Sequence, residues 1–227
     1  MNRKPIIIGI IAIIIVLIAV FAFRSGKTVT NPTDTTGSTA TTATDVPSVP
    51  DANGRQFVDS RFTFVYPKDL AVTGAPTVKT KSWRQNATTT GFLVAVVSVP
   101  KSFMPGTNFS DAKFTVGVST DKAELSGSGC PSGINFSENG GATAVPIHNQ
   151  TYTKITQSGA GAGNLYETTS YFTIRDGSCY ALEYTIHSTN LGNYDPSQGI
   201  TAFDKTKITA LLDTIVRSFT FTVSSNS

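Results

Sequence analysis

The chain has few of the residues on which most enzymes depend. Its 227 residues include only two histidines, two cysteines and one tryptophan. Neither His148 nor His187 lies in a nucleophile-elbow sequence, and no Gly-x-Ser-x-Gly motif occurs. Neither cysteine has a histidine or another cysteine at metal-ligand spacing. The sequence therefore predicts no catalytic residue, no cofactor and no metal site.

The chain also has little excess of charge of either sign. The whole chain carries 18 basic and 15 acidic residues, but from residue 56 onward the numbers are 13 and 12. Nucleic-acid binding needs clustered lysine and arginine. Asp111, Asp121, Glu124 and Glu138 are scattered and lack the spacing of a calcium loop. We therefore expect no nucleic-acid partner.

The one long apolar run is residues 5–23, in which 14 of 19 side chains are Ile, Val, Leu or Phe and none is charged. At about 1.5 Å per residue it spans roughly 28 Å, close to the apolar thickness of a bilayer. Two basic residues lie on each side of the run, so their balance does not set the orientation in the membrane. The orientation is instead predicted from the short basic tail, residues 1–4, which is typical of a signal anchor. The run exceeds the roughly 7–15 apolar residues of a cleaved signal, which favours retention.

We therefore predict a protein of the cell membrane that crosses it once and contacts the lipid bilayer through residues 5–23. Its N-terminus is cytoplasmic and its C-terminal domain extracytoplasmic. Residues 24–55 are rich in Thr, Ser and Pro, with nine threonines between positions 28 and 44 and no apolar period. They predict a disordered linker of roughly 30 Å root-mean-square span. Residues 56–227 then form one globular domain.

Cys130 and Cys179 both lie in the part of the chain placed outside the membrane, where disulfides persist. A bridge between them would close about 50 residues and, in the chain-entropy model, stabilise the fold by on the order of 4 kcal/mol. Two separate buried thiols are the alternative. We predict the disulfide.

Strand patterns recur through the globular region, and a short helix is expected at residues 121–125. The run FLVAVVSV at residues 92–99 has no alternation, which predicts a central strand covered on both faces. The glycine-rich residues 159–163 precede a strand and not a helix, which favours a hairpin loop over a phosphate site. The strand candidates are residues 62–66, 78–84, 92–99, 113–119, 151–156, 165–175 and 178–187.

Asp176-Gly177 separates two of these strands and predicts a hairpin. A two-residue loop would pair Ile174 with Cys179 and would place Tyr180 and Leu182 on the face opposite Ile174. A three-residue loop with a bulge shifts the pairing by one and places the large apolar groups on one face. We expect the bulged loop for that reason.

The last helix carries an apolar stripe from Phe203 to Phe219, with Asp204 as its N-cap. Asp213 and Arg217 are spaced as an exposed i,i+4 ion pair. Residues 219–223 alternate again and predict a terminal strand. The predicted class is α+β, an antiparallel β-sheet with a C-terminal helix packed on one face.

Three stretches carry a family resemblance: FTFVYP at residues 62–67, GNLYETTSYFTI running into DGSCYALEY at 163–184, and LLDTIVRSFTF at 211–221. Together they resemble PsbP-like domains, although a tryptophan often seen after Pro67 is missing and the cysteine pair is not typical of that family. The resemblance implies an α/β sandwich that serves as a binding or accessory module. It supplies no catalytic residues.

Tyr166, Tyr171, Tyr180 and Tyr184 lie on neighbouring strands and are a candidate surface for a peptide or a sugar, although half-buried sheet positions are the plainer interpretation. The leading hypothesis is a membrane-anchored extracytoplasmic module that binds an envelope protein or a glycan without catalysis. One alternative is a cell-envelope hydrolase, which a cleft with two carboxylates, or His187 beside serine and aspartate, would favour. The other is a self-associating structural component, which an exposed apolar patch would favour.

Overall fold

The computed structural model describes residues 54–74, 78–126, 130–134 and 141–222. The predicted anchor, residues 5–23, lies outside these ranges, as does the predicted linker up to residue 53. Within the described ranges, no helix is both long enough and apolar enough to cross a membrane. The first described strand begins at Gly54, two residues before the predicted domain start.

The described part of the chain forms two antiparallel β-sheets and few helices, which confirms the predicted antiparallel class. The strands are β1 Gly54–Val58, β2 Phe62–Pro67, β3 Ala71–Gly74, β4 Phe92–Val99, β5 Phe109–Ser119, β6 Thr143–Ile147, β7 Gln150–Gly161, β8 Asn164–Arg175, β9 Ser178–Thr189 and β10 Thr220–Phe221. The helices are α1 Lys122–Leu125 and α2 Lys205–Ser218, with 3-10 turns at Lys81–Trp83, Lys101–Phe103, Leu191–Asn193 and Pro196–Gln198.

The larger sheet has the order β3-β4-β5-β9-β8-β7-β6, and the smaller has the order β1-β2-β10. β4 is flanked by β3 and β5 and buries Val94, Ala95, Val97 and Val99, while Ser98 is exposed. The strand predicted at residues 92–99 is therefore confirmed, but its predicted cover on both faces is wrong, because Leu93 and Val96 are only half-buried and Ser98 is exposed on the second face. The glycine-rich segment is also a hairpin, since β7 ends at Gly161 and β8 begins at Asn164.

Helix α2 covers one face of the large sheet, which we call the helix face. Its buried side chains, Ile208, Leu212, Ile215 and Val216, form the predicted stripe. Asp204 is the N-cap, since the Lys207 backbone N–H donates to its Oδ1 at 3.0 Å. Strand β2 packs beside the helix, with the Phe62 ring 6.5 Å from Tyr180 and the Phe64 ring 5.3 Å from Phe114.

The hairpin between β8 and β9 has the two-residue loop, so the bulged loop expected from the sequence is wrong. Ile174 pairs with Cys179 and Phe172 with Ala181. Asp176 and Gly177 both have positive φ, 48° and 67°, the conformation of a tight hairpin turn. The large apolar groups consequently lie on both faces of the hairpin, which is stable only if both faces are covered.

The second cover comes from the segment predicted as a strand at residues 78–84. That prediction is wrong, because Lys81–Trp83 is a 3-10 turn capped by the Thr80 hydroxyl, which accepts from the Ser82 N–H at 3.0 Å. Trp83 is fully buried against the sheet in a cluster with Ile155, Phe172, Cys179 and Ala181. We call this the tryptophan face.

Gly117 lets the tryptophan segment approach the sheet. A Cβ added at Gly117 would lie 1.9 Å from the Trp83 carbonyl oxygen. Gly91 is in similar contact, since its Cβ would lie 2.6 Å from Trp83 Cγ. The backbone of β5 therefore packs directly on Trp83, where any side chain would force the two apart.

The predicted disulfide between Cys130 and Cys179 is confirmed, with a Cα–Cα distance of 5.6 Å. It attaches residues 130–134 to β9 on the tryptophan face. The short helix predicted nearby is also present, as α1, and Asp121 caps it by accepting from the Ala123 N–H at 3.0 Å.

We predict that Gly117→Ala lowers the free energy of unfolding by about 3 kcal/mol, because overpacking in a core costs roughly 1–3 kcal/mol and the obstructing atom here is backbone. Gly159→Ala is the matched control, since Gly159 is also a strand glycine but a Cβ there meets nothing within 4 Å. The control should change stability by less than about 0.5 kcal/mol. Urea unfolding followed by tryptophan fluorescence measures both, and equal values for the two variants would contradict the packing argument.

Candidate functional site

A polar recess of about 400 Å³ lies on the tryptophan face, between the sheet and residues 81–87. Strands β5 and β9 supply its floor, because Thr115 pairs with Glu183 and Lys113 with Thr185 in the sheet register. Directly paired residues point to the same face of a sheet. All four side chains therefore line the recess, which we call the Glu183 recess.

Glu183 is an acid within a buried part of the sheet, 5% exposed. Its Oε1 accepts a hydrogen bond from the Ser170 hydroxyl at 2.7 Å, and its Oε2 accepts one from the Gln85 backbone N–H at 2.7 Å. Burial raises the pKa of the Glu183 carboxyl, and these hydrogen bonds offset only part of that rise. The floor of the recess is therefore a fixed carboxyl, held by two donors of the protein itself.

The roof of the recess is fixed by a buried ion pair. Arg84 Nη2 lies 2.7 Å from Glu124 Oε1, and both side chains are fully buried. Burial alone would raise the pKa of Glu124, but hydrogen bonds from Thr89, Ser132 and Arg84 lower it below its usual range. Removing one partner from such a pair typically costs about 3–5 kcal/mol, so the pair holds its segments firmly.

The same pair connects the roof to the disulfide. Arg84 also donates to the Ser132 carbonyl at 2.7 Å, and the Ser132 N–H donates to Glu124 Oε2 at 2.7 Å. Ser132 is two residues from Cys130, which is bonded to Cys179 on β9. The disulfide, the ion pair and the hydrogen bond from the Gln85 N–H together hold the roof of the recess against the sheet.

The rim of the recess carries unpaired positive charge. Lys81 on the roof and Lys113 on β5 are both exposed. Among the residues that the structure describes, neither ammonium lies within ion-pair distance of a carboxylate. The two ammonium groups are donors suited to an acidic ligand. The threonine hydroxyls of the recess are already engaged, that of Thr115 with the Glu183 carbonyl at 3.4 Å and that of Thr185 with the Thr168 hydroxyl at 2.9 Å.

His187 lies further along the tryptophan face, and both of its ring nitrogens are engaged. Nδ1 is 2.8 Å from Asp111 Oδ2, and Nε2 is 2.9 Å from Asn164 Oδ1. In a hydrolytic triad, Nε2 would face a hydroxyl nucleophile. The geometry of His187 therefore gives the hydrolase alternative no support. His148 is an exposed turn residue with φ 50°.

The four tyrosines do not share one exposed surface. Tyr171, Tyr180 and Tyr184 are buried on the helix face. The hydroxyls of Tyr171 and Tyr184 donate to Asp213 Oδ1 at 3.2 and 3.0 Å. Tyr166 is 42% exposed on the opposite face, and its ring stacks on His187 at 4.5 Å. Burial raises the pKa of Tyr184 to about 12, so that hydroxyl stays a donor.

Asp213 accordingly faces the sheet and not the solvent. The exposed pair expected between Asp213 and Arg217 is not among the ion pairs of the described residues. Two buried hydroxyl donors outweigh one exposed ion pair, since the latter is worth at most about 1 kcal/mol. The spacing of Asp213 and Arg217 in the sequence could not show these hydrogen bonds, because the two tyrosines lie on β8 and β9, far from the helix along the chain.

The recess residues were not predicted from the sequence. The available signal was Glu183 itself, a single acid in the otherwise apolar stretch CYALEYTI. An acid in a buried strand needs partners and is therefore a site candidate. Its partners Ser170 and Gln85 are 13 and 98 residues away, which no local pattern reveals.

Comparison with known proteins leaves the family open. No family model matches the chain, and no curated protein matches it. One solved structure, a protein from Bacteroides thetaiotaomicron, is similar over 77% of this chain with 11% identity and a TM-score of 0.36. The chain spans about half of that protein's length, 50%. The resemblance to PsbP-like domains stays a prediction.

We predict that Glu183 makes stability fall as pH rises. Between the ordinary carboxyl pKa of about 4.3 and the higher value in the fold, the folded state holds a proton that the unfolded chain has released. Its stabilising contribution is complete below the unfolded pKa and is lost as pH rises through the folded pKa. In Glu183→Gln the side chain is neutral at every pH, so this variant does not lose stability as pH rises through the pKa of Glu183.

The measurement is the free energy of unfolding from pH 4 to pH 8 for both proteins. The difference, wild type minus Glu183→Gln, should decrease as pH rises. Glu124, whose pKa is shifted the other way, is present in both and cancels. A difference that does not vary with pH would contradict the raised pKa.

Proposed function

We propose that this chain is a single-pass membrane-anchored protein whose extracytoplasmic domain is a non-catalytic binding module. The Glu183 recess binds an acidic group of an envelope protein or glycan. The observation that carries the proposal is the pair of unpaired ammonium groups, Lys81 and Lys113, on the rim of a preformed polar recess.

The chemistry of the recess favours binding over reaction. Both Glu183 oxygens are occupied by donors of the protein itself. A general acid or base must exchange its proton with a substrate, whereas Glu183 is buried and fixed.

The attachment to the membrane is inferred from the apolar run at residues 5–23 and from the linker at residues 24–55. The apolar run is long enough for one span, and the linker holds the domain clear of the bilayer. The Cys130–Cys179 disulfide supports an oxidising compartment, since such bridges persist outside the cytosol. We infer the finer fold to be a PsbP-like sandwich, in keeping with an accessory role.

We expect the full chain to bind polygalacturonate, a carboxylated glycan, and not neutral dextran. Lys113→Gln should weaken binding about fivefold, because an exposed charge pair contributes up to about 1 kcal/mol. Added salt should weaken it further through screening. Lys122→Gln, an exposed lysine of α1 outside the recess, is the control. Titration calorimetry provides the affinities. Equal affinities for both variants would place the binding elsewhere.

The predicted topology has its own test. In intact cells, protease added outside should remove residues 24–227 and leave an N-terminal tag protected. In inverted membrane vesicles the tag should be cleaved and the domain protected. The reverse pattern would refute the orientation, and release of the whole chain without protease would refute the anchor.

A further inference from the structure

A second cavity lies on the helix face, away from the Glu183 recess. It occupies about 490 Å³ between β7, β8, β9 and the segment that leads into α2. Its apolar walls include Ala160, Leu165, Ile186 and Phe203. Cavities of roughly 300–1,000 Å³ with apolar walls and few polar groups are typical of small-molecule sites.

The outer wall of this cavity is held in place by Asn108. Its Oδ1 accepts from the Phe203 N–H at 3.0 Å, and its Nδ2 donates to the Thr189 carbonyl at 2.6 Å. The Phe203 ring packs on Phe109, with centroids 5.6 Å apart. The wall is therefore fixed to the sheet by hydrogen bonds and by ring packing, so the cavity is preformed.

Ser188 places a hydroxyl in this apolar lining. It pairs with Leu165 in the sheet register and is 7% exposed. Within the part of the chain that the structure describes, its hydroxyl has no hydrogen-bond partner, although Gln157, Thr168 and other polar groups of the sheet have theirs. This hydroxyl is not among the fully buried unpartnered side-chain atoms of the described residues, so it is accessible from the cavity. A ligand with a hydrogen-bonding group can bond to it directly, and one net hydrogen bond contributes about 0.5–1.5 kcal/mol.

The charged groups at the cavity already satisfy each other. Lys205 Nζ, at the start of α2, donates to Glu167 Oε2 on β8 at 2.6 Å. A charged ligand would have to break this pair or leave its own charge uncompensated beside apolar walls. The cavity therefore favours a ligand without net charge.

We propose that this cavity binds a small neutral molecule that is mostly apolar and carries one hydroxyl or comparable hydrogen-bonding group. The apolar part lies against Leu165, Ile186 and Phe203, and the polar group bonds to Ser188. This site is separate from the recess proposed above, and neither depends on the other.

Two probes of nearly the same shape test the class: 4-methylphenol, which has a hydroxyl, and toluene, which lacks one. The full chain in lipid vesicles is titrated with each, and saturable stabilisation against heat gives the affinity after correction for uptake by empty vesicles. We expect wild type to bind 4-methylphenol about 2–10-fold more tightly than toluene, the range of one net hydrogen bond.

Ser188→Ala should bind both probes with equal affinity, since only the hydroxyl contact is lost. Ala160→Phe, which fills the cavity from an exposed strand position, should remove binding of both. Ala144→Phe, at an exposed position of β6 outside the cavity, is the matched control and should bind as wild type does.

Three results would overturn the proposal. The first is absence of saturable binding of either probe to wild type. The second is unchanged binding in Ala160→Phe, which would place the site elsewhere. The third is a preference for 4-methylphenol that survives in Ser188→Ala, since the hydroxyl would then not select the ligand. Variants of Lys113 are not involved, so the outcome is independent of the recess.

Discussion

The packing of Trp83 against the sheet is the contact on which the rest of the domain depends. A sheet with one covered face would need its large apolar residues on that face alone. Trp83 and its cluster cover the second face, so the β8–β9 hairpin can place Phe172 on one side and Tyr180 and Leu182 on the other. Gly117 is the local condition for this, since it admits the backbone of the tryptophan segment.

The recess is a consequence of the same contact. Once residues 81–87 lie across the sheet, Arg84 is buried and requires a carboxylate, which Glu124 supplies. Gln85 follows directly and reaches Glu183. The disulfide completes the arrangement, because it fixes the segment whose Ser132 bonds to both members of the ion pair. The buried Trp83 side chain and the buried Arg84–Glu124 ion pair thus position a polar site above the sheet.

The sequence predicts what depends on neighbouring residues and misses what depends on distant ones. The strand at residues 92–99 follows from an unbroken apolar run, and the stripe and N-cap of α2 follow from helical period and capping. The disulfide follows from the presence of only two cysteines. The hairpin register was predicted wrongly, because the rule of one apolar face assumes that nothing covers the other. Trp83 was predicted in a strand by local composition, although its position is set by contacts far along the chain.

The site follows the same division. Glu183 is recognisable as an acid in an apolar strand, but its role is fixed by Gln85, 98 residues away. Ser188 gives no local signal at all, since a serine near a strand end is ordinary. Only the fold shows that it lines the same apolar cavity as Phe203.

One strand supplies both proposed sites. Alternate residues of β9 point to opposite faces, so Glu183 and Thr185 reach the recess while Ile186 and Ser188 reach the apolar cavity. The two faces differ in chemistry because different segments cover them, an arginine- and lysine-bearing turn on one and the entry to α2 on the other. The two proposed sites, one for an acidic group and one for a neutral apolar molecule, therefore need no element beyond those that build the core.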